Sequence, residues 1–510
     1  MNNLYRILEE GRCHDPQATA LVFNETSICY EEVKEAAARV ASGLKSMGIG
    51  PGDRIAIMLP NVPHFPMCYF GLLQLGVTIL ALSIYHKAEE IHHRIEDAEV
   101  KGIIYWEGFR EQVQQAVRDL DHCRHHIVLG EPAGAEEIGL STMMAQHAPL
   151  TEVAAVDLDD TALIVYTAGA SGRPNGTELT HGNILFDIKA IQSVFPIRPG
   201  DAVLAPVPFY HPLGHTLTMG TFLQAGGQLI LMPKFEARSV IEMVTATQPR
   251  YLVAVPSIIR EIMDHPREEA GDFSSLKYVL VSGEALKPDT MQAFETRYDV
   301  PILEGYGLTE ASPMVSFNSP ARERKAGSMG LPLPGIDVKI VDQNGIEVRL
   351  GEVGEVIVKG PNVMKGYLNR PQATKEALVD GWLHTGDLAL LHESGYGFVV
   401  VHKHNVIIKS GFSVYPMEVE KYLLAHPQIA ETVIVGLPDS QMGEDIHAAV
   451  VLRDSETGDV NEILAYSRER MANYKCPKTV HFFDSFPKGP NGRVLRKEVR
   501  ERVARLVGNQ

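Results

Sequence analysis

The loop sequence is Tyr166-Thr-Ala-Gly-Ala-Ser-Gly-Arg-Pro-Asn-Gly176, and it follows a short apolar run that begins at Ala162. A strand followed by a glycine-rich loop exposes successive backbone N–H groups, which is how many proteins bind phosphate. The segment Leu179-Thr-His-Gly-Asn183 comes directly after it. A glycine turn that binds no ligand is at least as common, so this stretch alone leaves both interpretations open.

Short apolar runs alternate with helical patterns on both sides of this loop. Tyr30 to Met47 has helical apolar spacing, and a Gly/Pro turn then leads into an apolar run from Arg54 to Leu59. Further apolar runs of strand length are Gly102 to Tyr105, Gln228 to Met232, Tyr251 to Val255 and Tyr278 to Val281. This alternation predicts a layered α/β fold with parallel strands.

The sequence changes in character after Gly335. Closely spaced strand-like runs with glycine-rich turns predict a β-rich subdomain at about residues 335–401. Residues 402–510 carry helix and strand patterns of their own, enough for a small mobile α+β lid. We therefore expect a large N-terminal domain over residues 1–401 and a C-terminal lid over residues 402–510.

The composition indicates a protein of two or more domains whose cysteines are reduced. A chain of 510 residues with 45% hydrophobic content exceeds what one core usually serves, so two or more domains are expected. The five cysteines lie far apart without a Cys-x-x-Cys pair, which argues against disulfides and a structural zinc site. The N-terminus lacks a basic region followed by an apolar core. We expect a cytoplasmic protein.

Charge and hydropathy argue against a nucleic-acid-binding protein and against a membrane-spanning one. The net charge of −17 disfavours a nucleic-acid-binding protein, although residues 468–505 hold eleven Lys/Arg against four Asp/Glu. Such a basic end is usually a solvated surface, but it could also attract a polyanion such as coenzyme A. His64 to Tyr85 is long and apolar, yet Pro66, Gln74 and Gly76 divide it into a buried helix and a strand. No membrane span is predicted.

Several motifs follow the glycine loop in a fixed order. They are Tyr306-Gly-Leu-Thr-Glu310, Gly327-Ser-Met-Gly-Leu-Pro-Leu-Pro-Gly335, Gly366-Tyr367, Trp382-Leu-His-Thr-Gly-Asp-Leu388, Lys409-Ser-Gly-Phe-Ser-Val-Tyr-Pro-Met-Glu-Val-Glu420, Val435-Gly-Leu-Pro-Asp439 and Tyr474-Lys-Cys-Pro477. With them the sequence resembles, over essentially its whole length, the adenylate-forming superfamily of acyl-CoA ligases, luciferases and peptide-synthetase adenylation domains. That family activates a carboxylate as acyl-AMP, and its lid then rotates so that the coenzyme A thiol can attack.

The resemblance implies a role for each motif residue that would bind the adenylate. Asp387 would accept hydrogen bonds from both ribose hydroxyls, a task that suits a carboxylate. Tyr306 would flank the adenine beside Gly307, and Thr309 would contact the α-phosphate. Glu310 would bind Mg²⁺ during adenylation, although it could equally cap a helix. The remaining residues expected around the adenylate are Gly283, Glu284, Ala285 and His402.

The resemblance also implies a thiol side of the site. His211, in Pro208-Phe-Tyr-His211, would be the gate between the acyl site and the thiol tunnel, although a packed core histidine is the alternative. Ser410 and Gly411 lie on the lid loop that faces the active site in the thioester-forming pose. A small residue there leaves room for pantetheine.

The phosphate loop departs from the family pattern, which reads approximately Thr-Ser-Gly-Thr-Thr-Gly-x-Pro-Lys-Gly. Two hydroxyl positions hold Ala168 and Ala170, and Asn175 replaces the lysine. The altered loop comprises Thr167, Ala168, Gly169, Ala170, Ser171, Gly172 and Asn175. Two donors and a cation that serve the β- and γ-phosphates are therefore missing.

The lid departs from the pattern as well. The family's Gly-Arg before the hinge aligns with Val401-His402, and the hinge residue itself becomes His404. The catalytic lysine of adenylation aligns with Arg493, which keeps the charge but not the compact ammonium. Losing one preorganised donor or charge can cost about 3–4 kcal/mol of transition-state stabilisation. Together these changes predict impaired adenylation.

Three hypotheses follow. The favoured one is a non-adenylating ligase that converts acyl-AMP and coenzyme A to acyl-CoA and AMP, with a separate adenylating enzyme supplying acyl-AMP. The second is a complete acyl-CoA synthetase, which would also use ATP and Mg²⁺. The third is a non-catalytic relative that binds an acyl group or adenylate. The acyl substrate is a small molecule, and the sequence leaves fatty, terpenoid and aryl acids open.

Overall fold

The computed structural model describes residues 2–168, 174–284, 286–402, 406–453, 458–487 and 494–508, with only the backbone described at 168, 267, 401 and 402. Its architecture is mixed α/β, with layered sheets, a β-rich subdomain and a C-terminal domain, so the predicted fold class is confirmed. The parallel arrangement is also confirmed for the central strands of the two largest sheets. Both outer strands of the nine-stranded sheet pair antiparallel, as does Gly366–Tyr367 in the eight-stranded sheet, whereas Glu137–Gly139 at its other end pairs parallel.

The first sheet contains the strand that precedes the glycine loop. Its strands, in spatial order, are Gly366–Tyr367, Pro174–Thr180, Thr161–Ala168, Thr78–Ala81, Arg54–Met58, Gly102–Trp106, His125–Leu129 and Glu137–Gly139. Thr161–Ala168 and Pro174–Thr180 form an antiparallel pair in which Thr167 lies opposite Asn175. The chain therefore enters and leaves the glycine loop at one edge of this sheet.

The second sheet carries several of the predicted site residues at or just beyond strand ends. Its strands, in spatial order, are Leu331–Pro332, Met314–Phe317, Ile302–Gly307, Tyr278–Val281, Tyr251–Ala254, Ala202–Ala205, Gln228–Leu231, Thr19–Phe23 and Thr26–Cys29. Gly283 follows Val281, and Tyr306 lies near the end of its own strand. Because the carboxyl ends of parallel strands meet at one edge, these residues come together there.

Two smaller sheets complete the chain. The β-rich subdomain contains Asp337–Val341, Val353–Lys359, Leu378–Val379, Trp382–Leu391 and Gly397–His402, all paired antiparallel. The C-terminal sheet contains Ile407–Lys409, Phe412–Val414, Ile429–Asp439, Gly443–Leu452 and Thr479–Phe482. The latter sheet has its own buried clusters, one around Val419 and Ile446 and another around Val435 and Val499.

The helices cover the sheets and connect their strands. The α-helices are Arg6–Arg12, Tyr30–Ser46, His64–Gln74, Ala88–Asp97, Arg110–Val117, Leu140–Gln146, His181–Val194, Thr221–Gln224, Ala237–Thr247, Pro256–Asp264, Pro288–Tyr298, Pro371–Ala377, Pro416–Leu424, Val460–Arg470 and Arg496–Gly508, and Leu213–Gly220 is a π-helix. Local sequence explains several starts. Thr180 caps His181–Val194 through Asn183, and proline occupies the first turn of Pro256–Asp264.

The long apolar segment forms the predicted helix and strand, His64–Gln74 and Thr78–Ala81. The helix packs closely on Tyr30–Ser46, because a Cβ at Gly71 would lie 2.7 Å from the carbonyl oxygen of Ala37. Only a residue without a side chain permits this approach. In the part of the chain that the structure describes, no helix is both long and apolar enough to cross a membrane.

Candidate functional site

One cavity of about 790 Å³ brings the separate motifs together. Its lining includes Thr167, Asn175, His211, Gly283, Gly307, Thr309, Glu310, Asp387 and Gly411. These residues come from both large sheets, the β-rich subdomain and the lid loop. Of the other predicted residues, Gly169 to Gly172, Ala285, His404 and Arg493 lie outside the described residues, as do the side chains of Ala168 and His402.

A tyrosine holds Asp387 in place within this cavity. The Tyr306 hydroxyl donates to Oδ2 of Asp387 at 2.7 Å, and the backbone N–H of Asp387 donates to Oγ1 of Thr385 at 3.1 Å. Burial, and next the negative charge of Asp387, raise the pKa of Tyr306 well above its usual value, so the phenol stays a donor at neutral pH. Asp387 also lies opposite His402 in the strand pair of the subdomain. The carboxylate is thus oriented before any ligand arrives.

Glu310 accepts hydrogen bonds from two hydroxyl groups. Thr167 Oγ1 and the Tyr367 hydroxyl each donate to its Oε1 at 3.0 Å. Burial raises the pKa of Glu310, and hydrogen bonds from its own backbone N–H, Tyr367 and Thr167 oppose this rise. Glu310 lies in the short 3₁₀ turn Thr309–Ala311, and its side chain lines the cavity instead of only capping that turn.

The donor atoms around Glu310 fit a magnesium ion that also has phosphate ligands. Carboxylate and hydroxyl oxygens are the hard ligands that Mg²⁺ prefers, and Mg²⁺ commonly uses one or two carboxylates together with substrate phosphates. Among the described residues no group of three or more His, Cys, Asp or Glu side chains could hold a metal ion. Glu310 and Thr167 therefore suit a metal bound jointly with a ligand.

His211 lies between this cavity and a second one of about 150 Å³. His211, Val255 and Gly411 line both cavities. The N–H of Leu213 donates to Nδ1 of His211 at 3.3 Å, and burial lowers the pKa of His211 to about 4. The imidazole is therefore neutral at pH 7. Apolar residues of the second cavity include Ile84, Tyr85, Tyr210, Phe235, Ile258 and Phe412.

The lid loop packs directly against the large domain. Gly411 has a φ of +80°, and a Cβ there would lie 2.9 Å from Val255. Its neighbour Ser410 has a φ of +51° and donates its N–H to the carbonyl of Met442 at 2.8 Å. The small residue predicted at 411 is thus required by both the backbone conformation and the neighbouring side chain.

Glu284 lies near the lid. Its Oε1 accepts from Nη2 of Arg260 at 2.8 Å, and Nε of Arg260 donates to the backbone carbonyl of Gln441 in the lid at 3.0 Å. Gly283, with a φ of +102°, lines the cavity itself. Of the three predicted adjacent residues, Gly283 therefore lines the cavity and Glu284 is hydrogen-bonded at the interface with the lid. Ala285 lies outside the described residues.

A buried ion cluster also fastens the lid to the large domain. Lys475 of the lid donates to Oε1 of Glu90 at 2.6 Å and to Oε1 of Glu418 at 2.8 Å. Arg94 lies 3.8 Å from Glu418, and the N–H of Ala472 donates to Glu90 at 2.9 Å. Side chains of Glu90, Arg94, Glu418 and Lys475 are 0–4% exposed. No sequence pattern indicates this cluster, because Glu90 and Lys475 are far apart along the chain.

The sequence motifs give no role to Tyr367 and do not include Arg370. Both line the larger cavity, as does Tyr415 of the lid. The signal that could have found them is strand pairing: Tyr367 lies opposite Thr177 in the first sheet, next to the chain that leaves the glycine loop. A strand of two residues is too short to recognise from its sequence pattern.

Comparison with known proteins agrees with this assembly. The family model described as AMP-binding enzyme matches residues 9–368, and the one described as AMP-binding enzyme C-terminal domain matches residues 418–493. The chain is 32% identical to a long-chain-fatty-acid--CoA ligase of Bacillus subtilis, covering 98% of this chain and 94% of that protein. It is 34% identical to a feruloyl-CoA synthase of Amycolatopsis, covering 96% of each.

Two solved structures show the same overall fold. One is a double mutant of o-succinylbenzoate CoA synthetase from Bacillus subtilis bound with a product analogue, with 27% identity, a TM-score of 0.88 and coverage of 97% of this chain and 98% of that one. The other is ATP-bound MatB from Rhodopseudomonas palustris, with 28% identity, a TM-score of 0.74 and coverage of 98% of each chain.

Proposed function

This chain belongs to the AMP-binding enzyme family, in its acyl-CoA ligase branch, and we propose that it is a complete ATP-dependent acyl-CoA synthetase. The first step would convert a carboxylic acid and ATP to acyl-AMP and pyrophosphate. The second would convert acyl-AMP and coenzyme A to acyl-CoA and AMP. The observation that carries the proposal is the single cavity lined by Thr167, Glu310 and Asp387 that shares His211 and Gly411 with a second cavity.

In this proposal the adenylate lies in the larger cavity. Asp387 accepts from the ribose hydroxyls, and Tyr306 flanks the adenine with Gly283 and Gly307 nearby. Support comes from the Tyr306–Asp387 hydrogen bond, which fixes the carboxylate without a ligand. Thr309 contacts the α-phosphate, and His402 is proposed beside the nucleotide from its pairing with Asp387.

Glu310 and Thr167 would hold Mg²⁺, with Tyr367 orienting the carboxylate. When bound, the metal would supply positive charge next to the phosphates of ATP. The hydrogen bond from Tyr367 keeps one carboxylate oxygen of Glu310 aimed at Thr167, so the oxygen ligands stay together. ATP, Mg²⁺ and coenzyme A are therefore the proposed cosubstrates and cofactor, with AMP as a product.

The second cavity would admit the pantetheine thiol. Neutral His211 is proposed as the gate between the cavities, and Ser410 and Gly411 as the lid residues beside the thiol. Gly411 lines both cavities, as the family resemblance implies for the thioester-forming pose, and this supports that pose for the structure described here. We further propose that residues 402–510 move as the lid, with a domain boundary between 401 and 402 and the hinge at His404.

A non-adenylating ligase is the second candidate. It is favoured by the loop substitutions Ala168, Ala170 and Asn175, and by Arg493 in place of the catalytic lysine. On this candidate a separate enzyme supplies acyl-AMP. The relatives' names, long-chain-fatty-acid--CoA ligase and feruloyl-CoA synthase, describe enzymes that form acyl-CoA without such a restriction, and they suggest a small-molecule fatty or aryl acid as substrate.

Two assays separate these candidates. Acid-dependent exchange of labelled pyrophosphate into ATP measures the first step, and conversion of synthetic acyl-AMP with coenzyme A measures the second. We expect both activities with a fatty or hydroxycinnamic acid. Activity in the second assay alone would establish the non-adenylating ligase. Inactivity in both, across fatty and aryl acids, would favour non-catalytic binding.

A further inference from the structure

Strand pairing brings a second segment next to the chain that leaves the glycine loop. Gly366 lies opposite Glu178 and Tyr367 opposite Thr177, and the N–H of Leu368 donates to the carbonyl of Gly176 at 2.7 Å. The pairing ends there, because Leu368 and Asn369 form a turn in which Asn369 has a φ of +53° and the N–H of Arg370 donates to the carbonyl of Tyr367 at 3.1 Å. Arg370 therefore lies one turn beyond the strand that pairs with Thr177 and Glu178, directly before the helix Pro371–Ala377.

Arg370 lines the larger cavity together with Asn175 and Thr167. Acidic lining residues are Glu310, Glu376 and Asp387, whereas Arg370 is the single Lys or Arg among the described lining residues. A polyphosphate placed beside three carboxylates needs compensating positive charge, and a guanidinium keeps its charge at any working pH. Arg370 supplies that charge in the described part of the cavity.

The Arg370 guanidinium is held near the loop by hydrogen bonds that do not occupy all of its N–H donors. Nη2 donates to Oδ1 of Asp97 at 2.6 Å and Nη1 to the carbonyl of Asn369 at 3.2 Å, while the side chain remains 30% exposed. Asp97 also accepts from the hydroxyl of Tyr166, which precedes Thr167 in the loop strand, at 2.7 Å. An arginine carries five N–H donors, so the Asp97 contact positions the fork and leaves donors for a phosphate.

We propose that Arg370 contacts the β- and γ-phosphates of ATP and stabilises the departing pyrophosphate, taking over the task of the lysine that Asn175 replaces. This rests on the proposed function. In the step concerned, a carboxylate oxygen of the acid bonds to the α-phosphorus while the bond from that phosphorus to the bridging oxygen breaks. The bridging oxygen keeps the electron pair and leaves on pyrophosphate, and no proton moves. Arg370 offsets the negative charge that gathers there.

Four variants test the assignment. Arg370→Gln removes the charge, Arg370→Lys keeps it without the fork, and Arg370→Gln with Asn175→Lys moves the charge back to the strand opposite. Lys365→Gln is the matched control, because Lys365 lies in the same segment and donates to the carbonyl of Asp159 without lining the cavity. Each protein is assayed for pyrophosphate–ATP exchange, for thioester formation from synthetic acyl-AMP, and for binding of the magnesium complex of α,β-methylene-ATP and of AMP by calorimetry.

Arg370→Gln is expected to lose about 100-fold or more in exchange, the cost of removing one preorganised charge. Its thioester formation from acyl-AMP should stay within about 2-fold of wild type, which also shows that it is folded. Arg370→Lys should keep part of the exchange activity, the double variant should recover at least about 10-fold over Arg370→Gln, and Lys365→Gln should match wild type. Equal loss in both half-reactions, or unchanged exchange in Arg370→Gln, would overturn the assignment.

Binding keeps this test separate from that of the proposed function. If the wild type shows no exchange, the complete-synthetase proposal fails, yet Arg370→Gln must still bind α,β-methylene-ATP about 10-fold or more weakly with its AMP affinity unchanged. If the variant and the wild type bind the analogue equally, or if the wild type binds it no better than AMP, Arg370 has no role toward the outer phosphates.

Discussion

Replacing Lys475 by Met should separate the two half-reactions. Lys475 is the cation between Glu90 of the large domain and Glu418 of the lid, with all three side chains 0–4% exposed. Burial opposes its charge, but the attraction of Glu418 and Glu90 outweighs burial and raises the pKa of Lys475 above its usual value. In the variant, two carboxylates are left buried without their ammonium partner. Arg94, 3.8 Å from Glu418, compensates only one of them.

Removing one partner of a buried ion pair typically costs about 3–5 kcal/mol, which corresponds to about two to three and a half decades in an equilibrium constant. That cost applies to the domain arrangement described here. If the lid rotates as proposed, Glu90 would separate from Lys475 and Glu418, and an ion pair exposed to water contributes only about 0–1 kcal/mol. Lys475→Met should therefore slow thioester formation from acyl-AMP by about 100-fold or more while pyrophosphate exchange changes by less than about 3-fold.

The matched control is Lys478→Met, which removes a lysine with a 56% exposed side chain that bonds to Asp439 and Asp445. It should leave both half-reactions near wild type. Adding Glu90→Gln to Lys475→Met should restore part of the thioester rate, since one of the uncompensated charges is then gone. An unchanged thioester rate in Lys475→Met would refute the reasoning that this cluster stabilises the productive pose, and equal losses in both steps would point to a damaged lid fold.

Three further predictions concern the site and the lid. Asp387→Ala should weaken binding of an acyl-sulfamoyl adenosine by roughly 1.5–3 kcal/mol in calorimetry, because the ribose loses a charged acceptor, and unchanged affinity would reject the nucleotide site. Gly411→Val should abolish thioester formation but spare exchange, since its Cβ would lie 2.9 Å from Val255 and φ is +80°; equal rates in both assays would contradict this. Burial lowers the pKa of His447 to about 4, and that of His481 also falls, so the folded lid excludes protons that the unfolded chain binds below about pH 6.5. The free energy of unfolding measured in urea should be highest above pH 6.5 and should fall as the pH is lowered towards 4. The fall should be smaller in His447→Asn, and equal falls in the variant and the wild type would contradict the prediction.

Local signals predicted much of the fold. Tyr278–Val281 has the predicted bounds, and Tyr251–Ala254 ends one residue before the predicted Val255, because each is an apolar run of strand length between turn residues. His64–Gln74 was separable from a membrane span because Gln74 and Gly76 interrupt the apolar run. The residues around the nucleotide came from the order of motifs, not from periodicity. Contacts such as that between Glu90 and Lys475 depend on how distant elements pack, which no local pattern encodes.

Asn175 and Arg370 connect the altered phosphate loop to the question of adenylation. Within the loop motif itself, the family's lysine is replaced by Asn175, which removes a cation and favours a non-adenylating ligase. In the folded protein, the proposed replacement for that cation is Arg370 of the neighbouring segment, because Leu368 bonds to Gly176 and Arg370 lines the same cavity as Asn175. The exchange replaces a compact ammonium by a planar fork fixed to Asp97, so the geometry of the charge changes while its sign is kept. A sequence motif covers the residues of one segment, whereas the electrostatic energy of a phosphate depends on every charge within a few ångströms, whichever segment carries it. The loop substitutions alone therefore do not decide between the two candidate functions, and the measurement that does is pyrophosphate–ATP exchange by the wild-type protein.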